Sequence, residues 1–301
     1  MTEQLLSFNS SGFQYAWDAT SISAYEKCPR YYQLRHIEGW QRPQRNAHLL
    51  FGGVYASALE HYAKYIALGQ SHDDALREVF TEALIATWID GAPWQSDHNA
   101  KTRETLLRSI VWYLEEFLTD PAPVVLLADG KPAVELSFSV PFSSDYMYCG
   151  HIDKLVEYGG NKFIMDQKTT GTTISPYYFK NYSPDIQMSG YTWAGSIMFD
   201  LPVSGVIIDA AQIAVGFTRF ARGFINLPRP LLDEWYENTL STIEDARRSH
   251  EADHYRMTRT SCGNFGGCDF RSVCSRIPEH RQRVLQSEYE RQPRWDPLQR
   301  R

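Results

Sequence analysis

Three charged residues in the middle of the chain have the types and spacing needed for hydrolytic chemistry. Asp166 and Lys168 stand two apart in Ile164-Met-Asp-Gln-Lys-Thr-Thr170, and Asp153 closes the preceding Gly150-His-Ile-Asp153. On a strand, a period of two puts Asp166 and Lys168 on one face. Gly159-Gly160-Asn161 predicts a hairpin turn between the two segments. A hairpin centred near Gly160 pairs residues whose numbers sum to about 320, so Asp153 falls close to Asp166 and Lys168. Two carboxylates and an ammonium on an otherwise apolar sheet are costly unless they pair or hold a metal. Hard oxygen ligands suit Mg²⁺ or Mn²⁺, and such an ion activates water and offsets charge on a phosphodiester. A neighbouring lysine can orient or deprotonate that water and stabilise developing charge. On a solvated strand the same residues would be ordinary Asp–Lys pairs of little energetic weight, and Asp-x-Lys by itself does not separate the two readings.

The cysteines are the second chemical signal. There are five, at 28, 149, 262, 268 and 274. An odd count in a chain whose N-terminus lacks a basic segment followed by an apolar one argues against a secretory signal and a disulfide framework. Cys262, Cys268 and Cys274 fall within thirteen residues, which suggests metal or cluster binding. Structural zinc sites usually contain a tight C-x2–4-C pair, and this segment has none. Cys28 is the candidate fourth ligand; Cys149, on the strand before Asp153, reads as a core thiol.

The elements that must position these groups follow from periodicity. Residues 20–37 read as a short helix interrupted by Pro29, with Ser23 and Glu26 at capping-box spacing. Residues 51–68, 73–90 and 100–119 are amphipathic helices. After Asp120-Pro-Ala-Pro123 the texture becomes β-branched and aromatic, which predicts strands at 134–142, 146–158 and 162–170. A helix at 184–199, strands at 204–217 and 219–227 and a long helix at 229–250 complete the pattern. This order predicts an α/β fold, a central mixed sheet flanked by helices. With no convincing linker, residues 1–301 read as a single domain: a helical part at 1–125, a sheet core at 126–228, then helix, cysteine cluster and basic tail at 229–301.

The formal charge of −6 would argue against a nucleic-acid partner, but its distribution matters more than its sum. Residues 27–48 (Lys27, Arg30, Arg35, Arg42 and Arg45 against Glu38) carry +4, residues 271–301 carry +4, and residues 49–261 carry −10. Both basic segments flank cysteines. No apolar run is long enough to span a bilayer, so a cytoplasmic setting, or the host cytoplasm for a viral protein, is the expectation.

The ordered set Gly150-x-x-Asp153, hairpin, Asp166-x-Lys168-Thr-Thr170, then Gln187 and Tyr191 four residues apart, resembles the RecB-like branch of the PD-(D/E)XK nuclease superfamily. So do Cys28-Pro-Arg-Tyr-Tyr-Gln-Leu-Arg35 and Phe51-Gly-Gly-Val-Tyr-Ala-Ser-Ala-Leu-Glu-His-Tyr62. The resemblance implies a restriction-endonuclease-like core in which Asp153 and Asp166 are metal ligands and Lys168 is the catalytic lysine. Gln187 and Tyr191 would lie on a helix that supports the site and contacts DNA. Many members carry a metal-binding histidine on the first helix; alignment puts Ala56 there, while His61 is five residues away on another side. Glu60, one turn from Ala56 on the same face, is a substitute ligand or an ordinary polar helix residue.

The distant Cys28 with Cys262, Cys268 and Cys274 resembles the iron–sulfur staple of RecB-like nucleases, including AddB-type and CRISPR-adaptation nucleases. That implies a [4Fe–4S] cluster tying the two ends of the domain together, with Zn²⁺ as the alternative. Tyr177, Tyr178, Phe179 and Tyr182 could stack on single-stranded bases or pack as core and rim. The resemblance implies an exonuclease acting on single-stranded or end-containing DNA in recombination, repair or phage DNA metabolism. Without a G-x-x-x-x-G-K-[ST] loop, any helicase or recombination partner would be a separate protein. Rival expectations are a non-catalytic DNA-binding scaffold on the same fold and a zinc-stabilised interaction module.

Overall fold

The computed structural model describes residues 7–43, 47–199, 203–263 and 267–299. In chain order, β1 (Ala16–Trp17) leads into α1 (Ala19–Lys27), α2 (Pro29–Tyr32) and a π-helical turn, Gln33–Ile37; β2 is Trp40–Gln41. Three helices follow, α3 (Ala47–Ala67), α4 (His72–Ala86) and α5 (Arg103–Glu116), with a small hairpin β3 (Trp88–Ile89) and β4 (Ala92–Pro93) before α5. Then come β5 (Val134–Pro141), β6 (Met147–Tyr158), β7 (Asn161–Thr170), α6 (Pro176–Lys180), α7 (Ile186–Met198), β8 (Val203–Ile213) and β9 (Thr218–Ile225). The chain closes with α8 (Arg229–Glu251), α9 (Arg271–Cys274), α10 (Pro278–Glu288) and β10 (Glu290–Arg291).

Local chemistry accounts for the boundaries. The capping box of α1 is made by Asp18 and Ser21, upstream of the expected Ser23–Glu26 pair. Helix α1 stops at Lys27 because Cys28 is extended (φ −169°) and Pro29 opens the next helix at its first position. Thr102 and Thr105 form the box that starts α5, and Ser71 and Asp185 cap α4 and α7. At the β6–β7 hairpin, Gly159 and Gly160 take φ of +57° and +76°, the left-handed backbone that a two-residue turn between Tyr158 and Asn161 requires.

The chain divides into two compact units. The unit formed by residues 45–138 and 151–228 contains most of the sheet: β6 pairs antiparallel with β7, β7 parallel with β8, and β8 antiparallel with β9, while β5 pairs β6. It is a mixed sheet, as the pattern predicts, and α6–α7 form the crossover joining its parallel strands. Phe51, Tyr55 and Leu59 of α3, Val79 of α4 and Ile110 of α5 pack with Ala211 and Ile213 of β8 on one face. On the other, α7 approaches so closely at Gly195 that a Cβ there would lie 2.9 Å from Ile164 of β7. The second unit gathers residues 1–44, 139–150 and 229–301. Within it Ala16 and Trp17 pair parallel with Met147 and Tyr148, and β2 pairs with β10. Leu34, Trp40, Phe270, Val273, Leu285 and Tyr289 form its apolar cluster. Arg45, Arg300, Arg301 and Asn264–Gly266 of the cysteine segment lie outside the described residues.

Candidate active site

The register of the β6–β7 hairpin, Lys154 opposite Met165, brings Asp153 level with Asp166. Asp166 is only 2% exposed. Its Oδ2 lies 2.6 Å from Lys168 Nζ, and the Gln167 amide donates to Asp153 Oδ2 at 2.9 Å. From α7, Gln187 Oε1 accepts from Lys168 Nζ at 2.9 Å, and Gln187 Nε2 donates to the Tyr191 hydroxyl at 2.9 Å. Tyr191 stands edge-on to Phe138 of β5. The i, i+4 spacing on one helix face permits this chain from carboxylate to lysine to amide to phenol. Asp153, Asp166, Lys168, Gln187 and Tyr191 are thus brought together within one unit.

The electrostatics match crowded carboxylates on an apolar sheet. Burial, with the nearby Asp166 charge, pushes Asp153 up to about 7, against the pull of Lys168 and the Gln167 amide. Burial also raises Asp166, opposed by Lys168. For Lys168 burial acts downward, but Asp166 and Asp153 outweigh it and hold the ammonium above its usual range.

Glu60 reaches the same region from α3. It is buried, and burial together with Asp153 and Glu135 pushes its pKa up to about 8. Glu135 joins the group without having been singled out by the sequence pattern. It adopts φ +53° at the second position of β5, left-handed backbone rare outside glycine, and hydrogen-bonds Glu60. Burial would raise Glu135, but the Lys64 ammonium, which donates to it, and Glu60 hold it below the usual carboxylate range. Glu60 and Glu135 are thus pushed in opposite directions, Glu60 upward by burial and Glu135 downward by Lys64. The only sequence signal is a lone acid in an apolar strand, Val134-Glu-Leu136, and alternation alone does not aim it. His61 turns to α4, where its Nδ1 is 2.6 Å from Glu82 Oε2. Of the aromatic group, Tyr178 is buried and bonded to the Tyr182 hydroxyl at 2.9 Å, while Tyr177 is 75% exposed.

Among the described residues no group of three or more His, Cys, Asp or Glu side chains stands at metal-holding geometry. The donor chemistry nonetheless fits a hard divalent ion: Asp153, Asp166, Glu60 and Glu135 supply only oxygen, and burial and mutual repulsion raise the first three.

The cysteines of the second unit are free thiols. Cys28 Sγ is buried and accepts from the Thr258 amide at 3.4 Å, and Cys262 Sγ points to the Thr258 carbonyl at 3.9 Å. Burial raises Cys268, with Cys262 and Cys28 adding to it; burial raises Cys274, with Cys268 and Cys28 adding. The thiols lie within electrostatic range of one another, but among the described residues no three of them stand at metal-holding geometry. Cys149 is apart, 1% exposed with its Sγ 3.4 Å from the Trp17 carbonyl, and burial raises its pKa.

The mixed sheet flanked by helices is consistent with a nuclease core. The family model for the PD-(D/E)XK nuclease superfamily matches residues 16–275, and the chain belongs to that superfamily. Its members generally use Mg²⁺ or Mn²⁺, and membership makes DNA the substrate class. A solved protein described as "Putative exonuclease" from Eubacterium rectale superposes with a TM-score of 0.53 at 12% identity, covering 91% of this chain and 94% of that one. That likeness is one of fold. The structure of SSO0001 aligns at a TM-score of 0.35 and 14% identity over 87% of this chain and 86% of that one, too low to bear on the fold. No curated protein matches the sequence. Among the described residues no helix is long and apolar enough to cross a membrane.

Proposed function

We propose that the chain is a metal-dependent exodeoxyribonuclease of the RecB-like branch, acting on single-stranded DNA or DNA ends. The observation that carries this reading is the convergence of Asp153, Asp166 and Lys168 on one sheet face, with Lys168 braced by Gln187. A bound Mg²⁺ or Mn²⁺ supplies an activated water and charge neutralisation at the scissile phosphate. Asp153 and Asp166 would hold that ion, and Glu60 would serve where other members use the histidine replaced here by Ala56. Lys168 orients the attacking water and stabilises charge on the phosphate. Gln187 fixes Lys168, and Tyr191 fixes Gln187. The name borne by the Eubacterium rectale structure supports the exonuclease mode. Work in recombination, repair or phage DNA metabolism, in the cytoplasm and alongside a separate helicase or recombination partner, agrees with a chain that contains no nucleotide-binding loop.

The test is cleavage of end-labelled single- and double-stranded DNA by wild type and Asp166→Ala with Mn²⁺, Mg²⁺ or EDTA. Metal-dependent cleavage by wild type alone, with a ladder starting at one end, is the expected result. Binding without cleavage under every metal would favour a non-catalytic scaffold, the reading to which Ala56 lends weight. Glu60→Ala is expected to shift the Mn²⁺ dependence of cleavage to higher concentration; an unchanged titration would make Glu60 an ordinary helix residue.

Cys28, Cys262, Cys268 and Cys274 are proposed to hold a [4Fe–4S] cluster, with Zn²⁺ the alternative. Protein purified without oxygen should be brown and contain about four irons per chain. Colourless, folded protein containing zinc would replace the cluster with a zinc site; folded protein with neither metal would refute both.

A further inference from the structure

The sheet face opposite Asp166 carries a buried lysine. Alternation along β6 turns Lys154 away from Asp153, and Lys154 is 5% exposed. Among the described residues its ammonium has no hydrogen-bond or ion-pair partner; the charges around it act only at longer range. The carboxylates nearby are engaged elsewhere. Asp120 holds Arg222 through contacts of 2.5 and 2.7 Å, and Asp209 accepts from the Tyr113 hydroxyl and, at 3.3 Å, from Arg222. Asp209 and Asp120 offset the cost of this buried lysine only at longer range, and an anion in direct contact with its ammonium would lower that cost further.

Lys154 opens onto a cavity of about 330 Å³. Leu59, Tyr62 and Ile66 of α3 form one wall, and Leu114 and Phe117 at the end of α5 form another. The size is at the small end of ligand pockets, which run from about 300 to 1,000 Å³. An apolar chamber with one unpartnered cation selects an apolar body ending in a single negative charge. A neutral apolar molecule would leave the ammonium unpaired, and a polyanion would bring surplus charge against apolar walls and Asp120. We propose that this cavity binds a small monocarboxylate, its carboxylate on Lys154 and its aliphatic or aromatic body between α3 and α5. The cleavage reading makes no use of this site.

Calorimetric titration of the full chain with octanoate, its neutral analogue octanamide, and acetate tests the assignment. Octanoate should saturate at one per chain with a Kd below about 1 mM, octanamide should bind at least about tenfold more weakly, and acetate should not saturate. Lys154→Met should bring octanoate down to the affinity of octanamide. Ala63→Trp, which fills the cavity from α3, should abolish binding of both while thermal melting confirms the fold. Equal affinity of wild type for octanoate and octanamide, or no saturation by octanoate, would overturn the proposal even if Lys154→Met failed to fold. Octanoate binding unaltered in folded Lys154→Met would do the same.

Discussion

Replacing Lys168 with alanine is expected to lower DNA cleavage by about 10²–10⁴-fold, the range over which a positioned proton-transfer or charge-stabilising group acts. The ammonium stands 2.6 Å from Asp166 Oδ2 and 2.9 Å from Gln187 Oε1, so its place is set from both the strand and the helix. Alanine removes the charge, while Gln187 keeps its bond to Tyr191 and the helix stays seated. DNA binding should therefore change little, while the melting temperature should fall, because Asp166, 2% exposed, loses its ion-pair partner. Lys168→Arg should recover only part of the rate, because a planar fork cannot occupy the place of a compact ammonium. The measurement is single-turnover cleavage of end-labelled DNA, with binding followed separately by anisotropy. Turnover equal to wild type would remove Lys168 from the reaction.

Arg222→Ala should cost about 3–5 kcal/mol of stability, the usual penalty for removing one partner of a buried ionic group. The guanidinium is 11% exposed. It binds Asp120 through two nitrogens, reaches Asp209 at 3.3 Å and the Tyr113 hydroxyl at 3.2 Å, and lies 4.0 Å over the Phe117 ring. Its loss would strand Asp209, which is 3% exposed, beside a single phenol. Urea unfolding of wild type, Arg222→Ala, Asp209→Asn and the double variant forms a cycle. The double variant should be less damaged than the sum of the singles. A loss below about 1 kcal/mol in Arg222→Ala would class the network with surface ion pairs.

Why some features of the chain can be read from its sequence and others cannot comes down to the range of the interactions. The two-glycine turn sets the β6–β7 register, and register with alternation determines which side chains share a face. Asp153, Asp166 and Lys168 are therefore placed together by local sequence alone. The mixed sheet is legible for a similar reason: strands joined by a helix pair in parallel, and strands joined by tight turns pair antiparallel. Glu135 is not legible, because its direction depends on one left-handed residue inside a strand. The Arg222 network is hidden because Tyr113, Asp120, Asp209 and Arg222 come from three elements and a loop. Lys154 can be assigned to the face opposite its neighbour Asp153, but nothing local to it reveals that the carboxylates nearby are already engaged. The helix start at Asp18 is obscured because serine at the third position can close a capping box as glutamate does, and Ser23 with Glu26 mimics the commoner spacing.

The division of the chain into interleaved segments constrains the order of its synthesis. One unit needs residues 1–44, 139–150 and 229–301, so it stays incomplete until its last segment has left the ribosome. The other has all its residues by Pro228 and can fold first. Cys28 emerges 234 residues before Cys262, a wait of about 10–50 s at ordinary translation rates of about 5–20 residues/s. Any group requiring all four sulfurs is therefore inserted only once Cys274 has emerged, and Cys28 waits without its partners until then. Oxygen-limited expression should accordingly raise the yield of protein that holds such a group.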